Sequence, residues 1–294
     1  MSKNYILIGY ISAILSAVLF GSVSTVAKPA LVSIHPILLA SFVYFLASLV
    51  ATPLIGRAKF SISNKDKILL LVIALSGAVV GPTLFFIGLE DTTASDSALL
   101  LNGEIIFSVF LAILLFKEKL PRIGYLAVGL VVAGIVVVTT DLEFSNSMFD
   151  VQNSGNFFII AATLFWALDN NLSKILSTRL DVARIVQLKS LIGGSILLAL
   201  VFLLQIPIDV ELEHLPNILL LGTAGFGASI FFFLHGLKRI GTVKTIMIFS
   251  TSSVFGLIFA SLLLQEEISN FQLVAMGVIL SGFYLLYKKQ RGMD

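Results

Sequence analysis

Long apolar runs constrain this chain more than any other feature. The 294 residues contain ten such runs, each close to the roughly 20 residues that a helix needs to cross a bilayer. Only 12% of the residues are charged, about half the share in a soluble domain, and the mean hydropathy is +1.03. The runs lack the alternation of apolar and polar residues that barrel strands require. The sequence therefore predicts an all-α integral membrane protein with ten transmembrane helices.

We number the predicted spans one to ten along the chain. They cover Tyr5–Ala27, Pro36–Ile55, Ile68–Leu89, Ser97–Phe116, Ile123–Thr140, Asn156–Ser177, Ile185–Gln205, Asn217–Gly236, Thr245–Leu264 and Phe271–Tyr287.

Basic residues lie almost entirely on one side of these spans. When the loops are assigned alternately to two sides, all but two of the 19 lysines and arginines fall on the side of the N-terminus, and the exceptions are Lys28 and Lys189. The opposite loops are acidic. Because lysine and arginine in short loops mark the cytoplasmic face, we expect a multi-pass protein of a prokaryotic plasma membrane with both termini in the cytoplasm.

The two halves of the chain resemble each other. At an offset of 148 residues, identical residues recur: Gly88-Leu89 with Gly236-Leu237, Glu118 with Glu266, Gly129 with Gly277 and Gly134 with Gly282. Since each half holds an odd number of spans, the second half must enter the membrane inverted, as in many secondary transporters. We predict two inverted five-helix repeats (5+5), over 1–141 and 155–289, joined by an extracytoplasmic linker over 142–154.

Spans three and eight carry helix-breaking residues at equivalent places. Gly81 and Pro82 interrupt one run, and Gly225 and Gly227 interrupt the other. Corresponding interruptions in two repeats mark substrate-lining segments. Close packing of helices through small residues is the alternative, and it stays open here.

Several segments of the chain match one family pattern. They are LFGSVSTVAK (19–28) followed by Pro36, EIIFSVFLAILLFKEKL (104–120), GLVVAGIVVV (129–138), FWALDNNLSK (165–174), SSVFGLIFASLLLQEEI (252–268) and MGVILSGFYLL (276–286). Through them the chain resembles the drug/metabolite transporter superfamily, and within it the proteins with two EamA domains. The resemblance covers nearly the whole chain. It implies ten helices in two inverted halves, and movement of small metabolites without ATP hydrolysis.

Glu104 is a carboxyl group inside an otherwise apolar run. On a continuous helix it would share a polar face with Ser97 and Ser108, whereas the equivalent face of span nine, with Ser252, carries no charge. Intramembrane acids are functional candidates by default, and burial disfavours the charged form. Glu104 is therefore either a carrier of protons in a cavity or a protonated strut between helices.

Span six carries three consecutive polar residues, Asp169, Asn170 and Asn171. They cover about 200° of a helix, so they cannot all face one cavity. Lys189, just inside span seven, is the expected ion-pair partner of Asp169, because buried charges are usually paired. The pair either locks the second half or opens to bind a zwitterionic solute, and Lys189 could instead snorkel to the interface. Trp166, one turn before Asn170, is interpreted first as a packing residue and second as a stacking surface for a solute.

Other classes of protein lack support in the sequence. There is no cysteine, which excludes disulfides and thiolate metal sites, and no Gly-rich phosphate loop is present. We expect no cofactor, no metal, no nucleic-acid partner and no enzymatic activity.

The pattern as a whole favours a secondary transporter, an exporter of a small organic metabolite that works by alternating access. Its cavity would be lined by spans one, three, four, six, eight and nine, and Glu104 would couple transport to protons. Its partners would be the solute, membrane lipid and protons, and a homodimer stays an open alternative. The competing hypothesis is a membrane scaffold or sensor that transports nothing.

Overall fold

The structure, a computed structural model, describes residues 3–56, 62–116, 122–140 and 154–291, and most of these residues are helical. No strand occurs within these ranges, so the predicted all-α class is confirmed. Most of the predicted linker over 142–154 lies outside them.

The α-helices follow one another along the chain in the order of their numbers. They are α1 (Lys3–Gly21), α2 (Val23–Ala30), α3 (Pro36–Ala51), α4 (Asn64–Ala74), α5 (Gly81–Glu90), α6 (Ala94–Leu100), α7 (Gly103–Phe116), α8 (Arg122–Thr140), α9 (Ser154–Leu176), α10 (Val182–Leu203), α11 (Leu215–Leu220), α12 (Ser229–Ile240), α13 (Thr242–Phe249), α14 (Ser252–Leu263) and α15 (Asn270–Arg291). Two π-helical segments, Leu75–Val80 and Leu221–Ala228, connect α4 to α5 and α11 to α12.

Length and composition identify the helical segments that can cross a membrane. Among the described residues six are long and apolar enough: Asn4–Ala30, Pro36–Leu54, Asn64–Glu90, Val182–Leu203, Leu212–Ile240 and Lys244–Leu263. Two shorter apolar helices, Ile123–Thr139 and Asn270–Gly282, accompany them. The chain is thus a multi-pass membrane protein, and the count of ten spans stays a prediction.

The interruptions predicted at Gly81-Pro82 and at Gly225 and Gly227 need a correction. The helix does not break there but continues as a wider π-helical segment, so Asn64–Glu90 and Leu212–Ile240 each run unbroken. A π segment absorbs one extra residue without exposing backbone, and such segments are frequent at functional sites.

Short turns interrupt the α-helix at Ser22 in span one and at equivalent places in spans four and nine. In span four, α6 ends at Leu100 and α7 begins at Gly103, and in span nine, α13 ends at Phe249 and α14 begins at Ser252. The two positions correspond to each other in the repeat. Asn102 and Ser250 bond their side chains to carbonyl groups three residues back, which offers the backbone an alternative to the helical pattern.

The two halves contact each other through pairs of helices. The largest contacts made by spans of the first half are matched by contacts of the equivalent spans in the second half. Within the described residues α3 packs on α10, α8 on α15 and α6 on α14, each a pair of equivalent spans. Span one packs through α1 on α12 of span eight, and span six packs through α9 on α5 of span three. The core between the halves is therefore built by equivalent contacts from both.

Candidate functional site

A small cavity lies between the two halves. Its volume is about 30 Å³, which is room for about two water molecules. It lies among spans one, two, three, four, six, seven, eight and nine, so the structure adds spans two and seven to the predicted lining. The lining residues are Phe20, Tyr44, Gly77, Glu104, Trp166, Asp169, Asn170, Lys189, Phe226, Ser229, Ile230, Phe233 and Phe249.

An ion pair forms one wall of the cavity. Nζ of Lys189 lies 2.6 Å from Oδ2 of Asp169, and the two side chains are 1% and 5% exposed. The hydroxyl of Ser173 donates to the second oxygen of Asp169 at 2.8 Å. The predicted pairing is thus present, and the alternative of a lysine reaching the interface is wrong, because its charge is buried against its partner.

Close packing of span three on span six holds this pair in place. A Cβ atom added at Gly77 would lie 2.0 Å from Oδ2 of Asp169. Any side chain at this position would overlap the carboxylate, so glycine is required for the approach of the two helices.

Glu104 lies in the first turn of α7, directly after the break in span four. Its Oε1 atom accepts a hydrogen bond of 2.7 Å from Nδ2 of Asn170, a residue of the other half. The residue is 6% exposed. Glu104 is therefore almost completely removed from solvent, with an amide of the other half as its hydrogen-bond donor.

The predicted polar face of span four is corrected by the helix break. Ser97 lies on α6 and bonds to the hydroxyl of Ser24 at 3.0 Å, whereas Glu104 lies on α7. Ser108 is buried without a hydrogen-bond partner, and neither serine lines the cavity. Ser252, the repeat equivalent of Glu104, is also buried outside the lining.

The three polar residues of span six divide as the helical geometry requires. Asp169 and Asn170 line the cavity, whereas Asn171 donates to the carbonyl of Ala167 on its own helix at 2.8 Å. Asn171 is buried. Its side chain therefore bonds within its own helix and does not line the cavity.

Trp166 both packs and lines the cavity, so the two interpretations of this residue are compatible. Its ring lies 5.3 to 5.8 Å from those of Phe85 and Phe20, measured between centroids, and Phe226 follows at 6.3 Å. Its Nε1 atom donates to the carbonyl of Gly77 at 3.2 Å. The aromatic side chains thus form a second part of the cavity lining beside the ion pair.

The carbonyl of Gly77 accepts no hydrogen bond from the usual helical donor, because of the π segment and of Pro82. The amide of Gly81 donates to Ser76, so the ordinary helical partner of the Gly77 carbonyl is taken. The next residue, Pro82, has no N–H to offer. Tyr44 and Trp166 supply the missing donors, with the hydroxyl of Tyr44 at 2.5 Å.

Tyr44 lines the cavity but is not among the site residues predicted from the sequence. It is fully buried in span two. The other residues of this run are of the kinds that face lipid or pack in a core. The only signal was a phenol in an apolar run, where a buried hydroxyl needs a partner. Phe20, Phe226, Phe233 and Phe249 were also missed, because phenylalanine is common in every span.

Comparison with known proteins finds one family across both halves. A model described as the EamA-like transporter family matches residues 7–140 and 153–288. An uncharacterized transporter of Methanothermobacter thermautotrophicus is 35% identical, covering 95% of this chain and 86% of its own. A protein of Salmonella typhimurium described as a probable amino-acid metabolite efflux pump is 24% identical, covering 93% and 92%.

A solved structure shares the fold. It is a crystal structure whose description names no function. The superposition has a TM-score of 0.72 at 17% sequence identity, and it covers 97% of this chain and 98% of the other.

Proposed function

Since the chain belongs to the EamA-like transporter family, a group of the drug/metabolite transporter superfamily, we propose that it exports a small organic solute with a positively charged group by alternating access. The proposal includes proton exchange on Glu104. It also includes a cytoplasmic location of both termini, which the distribution of basic residues supports.

The position of the cavity supports alternating access. It lies between two halves whose helices make equivalent contacts, and in transporters with repeated halves the solute site lies at this junction. A volume of about 30 Å³ is too small for an organic solute. Loading of such a solute therefore requires the residues that line the cavity to move apart.

The charges of the cavity support a cationic group on the solute. When Glu104 is ionised, the three buried groups Glu104, Asp169 and Lys189 carry a net charge of −1. An uncompensated charge in a medium of low dielectric constant is costly. Either a proton on Glu104 or an ammonium group on the solute removes this cost, so the two compete for one site.

The aromatic part of the lining supports an apolar or aromatic body on the same solute. Phe20, Trp166 and Phe226 form a continuous aromatic surface, on which an apolar group is sheltered and to which a cation is attracted through the ring faces. The description of the Salmonella relative, an efflux pump for amino-acid metabolites, supports an amine-bearing metabolite as the solute class.

Competition on Glu104 explains how export could be driven. A proton that enters from outside neutralises Glu104 and releases the cationic solute, and a solute that enters from the cytoplasm displaces the proton. This exchange needs only a carboxyl that is accessible in turn from each side. The observation that carries the proposal is the buried Glu104 bonded across the halves to Asn170.

Flux in proteoliposomes tests the proposal. The purified protein would be reconstituted with radiolabelled primary amines that differ in their apolar portion, with and without an imposed pH gradient. We expect Glu104→Gln to lose the acceleration by the gradient, and to bind the cationic solute more weakly because the site no longer carries a net negative charge. Asp209→Asn, which removes an exposed carboxylate from a loop, serves as the matched control.

Two results would contradict separate parts of the proposal. Unchanged pH dependence in Glu104→Gln would refute coupling through this carboxyl. Absence of flux for every amine, together with flux of neutral or anionic solutes, would refute the cationic solute class but not transport itself.

A further inference from the structure

Three side-chain contacts join the two halves at the end of the molecule that carries the acidic loops. The second half contributes Asn156, Glu266 and Gln272. The first half contributes Thr92, Asp96 and the backbone and hydroxyl groups at the start of α6. We call this set of contacts the acidic-end clasp.

Glu266 makes the central contact of the clasp. Its two carboxyl oxygens accept hydrogen bonds of 2.9 Å from the amides of Ala94 and Ser95, and the hydroxyl of Ser95 adds a third at 2.6 Å. These amides have no partner within their own helix. One carboxylate from the second half therefore satisfies the beginning of a helix in the first half.

The flanking contacts close the same region. Nε2 of Gln272 donates to Oδ1 of Asp96 at 2.8 Å, and the hydroxyl of Thr92 donates to Oδ1 of Asn156 at 2.5 Å. Beneath them the backbones of Gly88 and Gly155 approach so closely that a Cβ at either would lie within 2.6 Å of the other's carbonyl oxygen. The two halves are therefore in direct contact at this point.

Lys28 holds the first-half side of the clasp rigid. Its Nζ atom donates to the carbonyl groups of Leu89, Glu90 and Thr92 at 2.7 to 3.0 Å. The turn between α5 and α6 is thus fixed to span one. Glu266 consequently bonds to a segment that Lys28 already holds in place.

The clasp is mechanically connected to the central site. Helix α6 has seven residues and is therefore about 10 Å long. Glu266 holds its first turn, and its other end leads through the break at Leu101 and Asn102 directly to Glu104. A movement of α6 away from Glu266 would displace the backbone that positions Glu104 beside Asn170.

We infer that Glu266 is a positioning residue that latches the acidic end of the transporter shut, and that release of this latch opens the central cavity to that side. This inference rests on the proposed alternating access. The surface above the clasp is an open basin of about 400 Å³, so the freed amides and carboxylate would be hydrated. Hydrated groups make the release reversible, because water replaces the lost hydrogen bonds.

Thiol labelling tests the latch without measuring transport. The chain contains no cysteine, so Ile230→Cys places a single thiol on the cavity wall. A membrane-impermeant thiol reagent would be applied to right-side-out and inside-out vesicles. We expect Glu266→Gln to accelerate labelling from the acidic side roughly tenfold, as a one-decade shift in population.

Neighbouring variants supply the controls. Glu267→Gln removes the same charge from an exposed position one residue away and should leave the rate unchanged. Asp66→Asn breaks the inter-half ion pair with Arg179 at the opposite end of span three and should not accelerate labelling from the acidic side. Gln272→Leu weakens the clasp independently and should accelerate it, which keeps the test valid if Glu266→Gln does not fold.

The possible results separate the latch from the proposed function. Equal labelling rates with and without the clasp variants, or equal acceleration by Glu267→Gln, would overturn the latch and leave alternating access intact. A thiol that reacts from neither side in any variant would contradict both. Acceleration that is confined to the clasp variants supports the latch, whatever the solute proves to be.

Discussion

Asn170 donates a hydrogen bond of 2.7 Å to the carboxyl of Glu104, and the two residues belong to opposite halves of the protein. The bond crosses the surface along which the halves would separate, and it ends on the group proposed to exchange protons. A single contact thus links the arrangement of the halves to the state of the carboxyl.

Removal of this donor should impair transport more than folding. We expect Asn170→Leu, which keeps a similar volume, to reduce pH-driven flux at least tenfold, because Glu104 loses the partner that positions it; a tenfold change corresponds to about 1.4 kcal/mol. The matched control is Asn171→Leu, whose amide bonds only to its own helix among the described contacts. Equal flux in the two variants would argue against the role of the bond, and proteoliposome flux measures it.

The ion pair of Asp169 and Lys189 should respond to single and double substitution in opposite ways. When Glu104 is protonated, either Asp169→Asn or Lys189→Met leaves one buried charge uncompensated, at a cost of roughly 3–5 kcal/mol in the free energy of unfolding. The double variant removes both charges and should recover most of this stability, but not transport. Thermal unfolding in detergent measures the cycle, and a double variant as unstable as the sum of the single ones would contradict the buried pairing.

Gly77 should tolerate no larger side chain. A Cβ at this position would lie 2.0 Å from Oδ2 of Asp169, so Gly77→Ala should displace the carboxylate or the helix at a cost of about 1–3 kcal/mol. Gly129→Ala is the control, since a Cβ there meets no atom within 4 Å. The change in melting temperature of the two variants checks the expectation, which fails if they are equally stable.

The two donors to the Gly77 carbonyl should prove mutually dependent. Tyr44→Phe and Trp166→Phe each remove one donor, and each should cost about 1 kcal/mol through the lost hydrogen bond, with additional packing loss for the tryptophan. Together they leave a buried carbonyl without a partner, so the double variant should be less stable than the sum of the single effects. A double-mutant cycle on the free energy of unfolding measures this coupling, and strict additivity would contradict it.

Comparison of the predicted and observed site shows which contacts a sequence can reveal. The pairing of Asp169 with Lys189 was predictable because both are charged, lie in successive spans and fall at similar depth. The break beside Glu104 left a signal in the dipeptide Asn102-Gly103, typical of turns, but the apolar residues around it fitted an unbroken helix equally well. Tyr44 left almost no signal, since its role depends on a carbonyl in another span.

The π segments illustrate a second limit. Gly81-Pro82 correctly marked the irregular place in span three, but an interruption was the wrong form of irregularity. Proline removes one donor, and the chain can compensate either by breaking the helix or by widening it. Packing against Tyr44 and Trp166 favours widening, because their side chains supply the donors that the freed carbonyl needs.

The sequence by itself determined the class of protein, the approximate extent of the apolar helices, the internal repeat and the charged residues of the site. Each follows from a property that a bilayer imposes locally, because apolar length and the rarity of buried charges can be read along the chain. The tertiary structure alone decided that Asn170 meets Glu104, that Glu266 holds the start of α6, and that Gly77 offers its carbonyl to two aromatic donors. Those contacts join residues 33 to 172 positions apart. The contact of Tyr44 with Gly77 lies within the first half, whereas the others exist only because the two halves dock in one particular way.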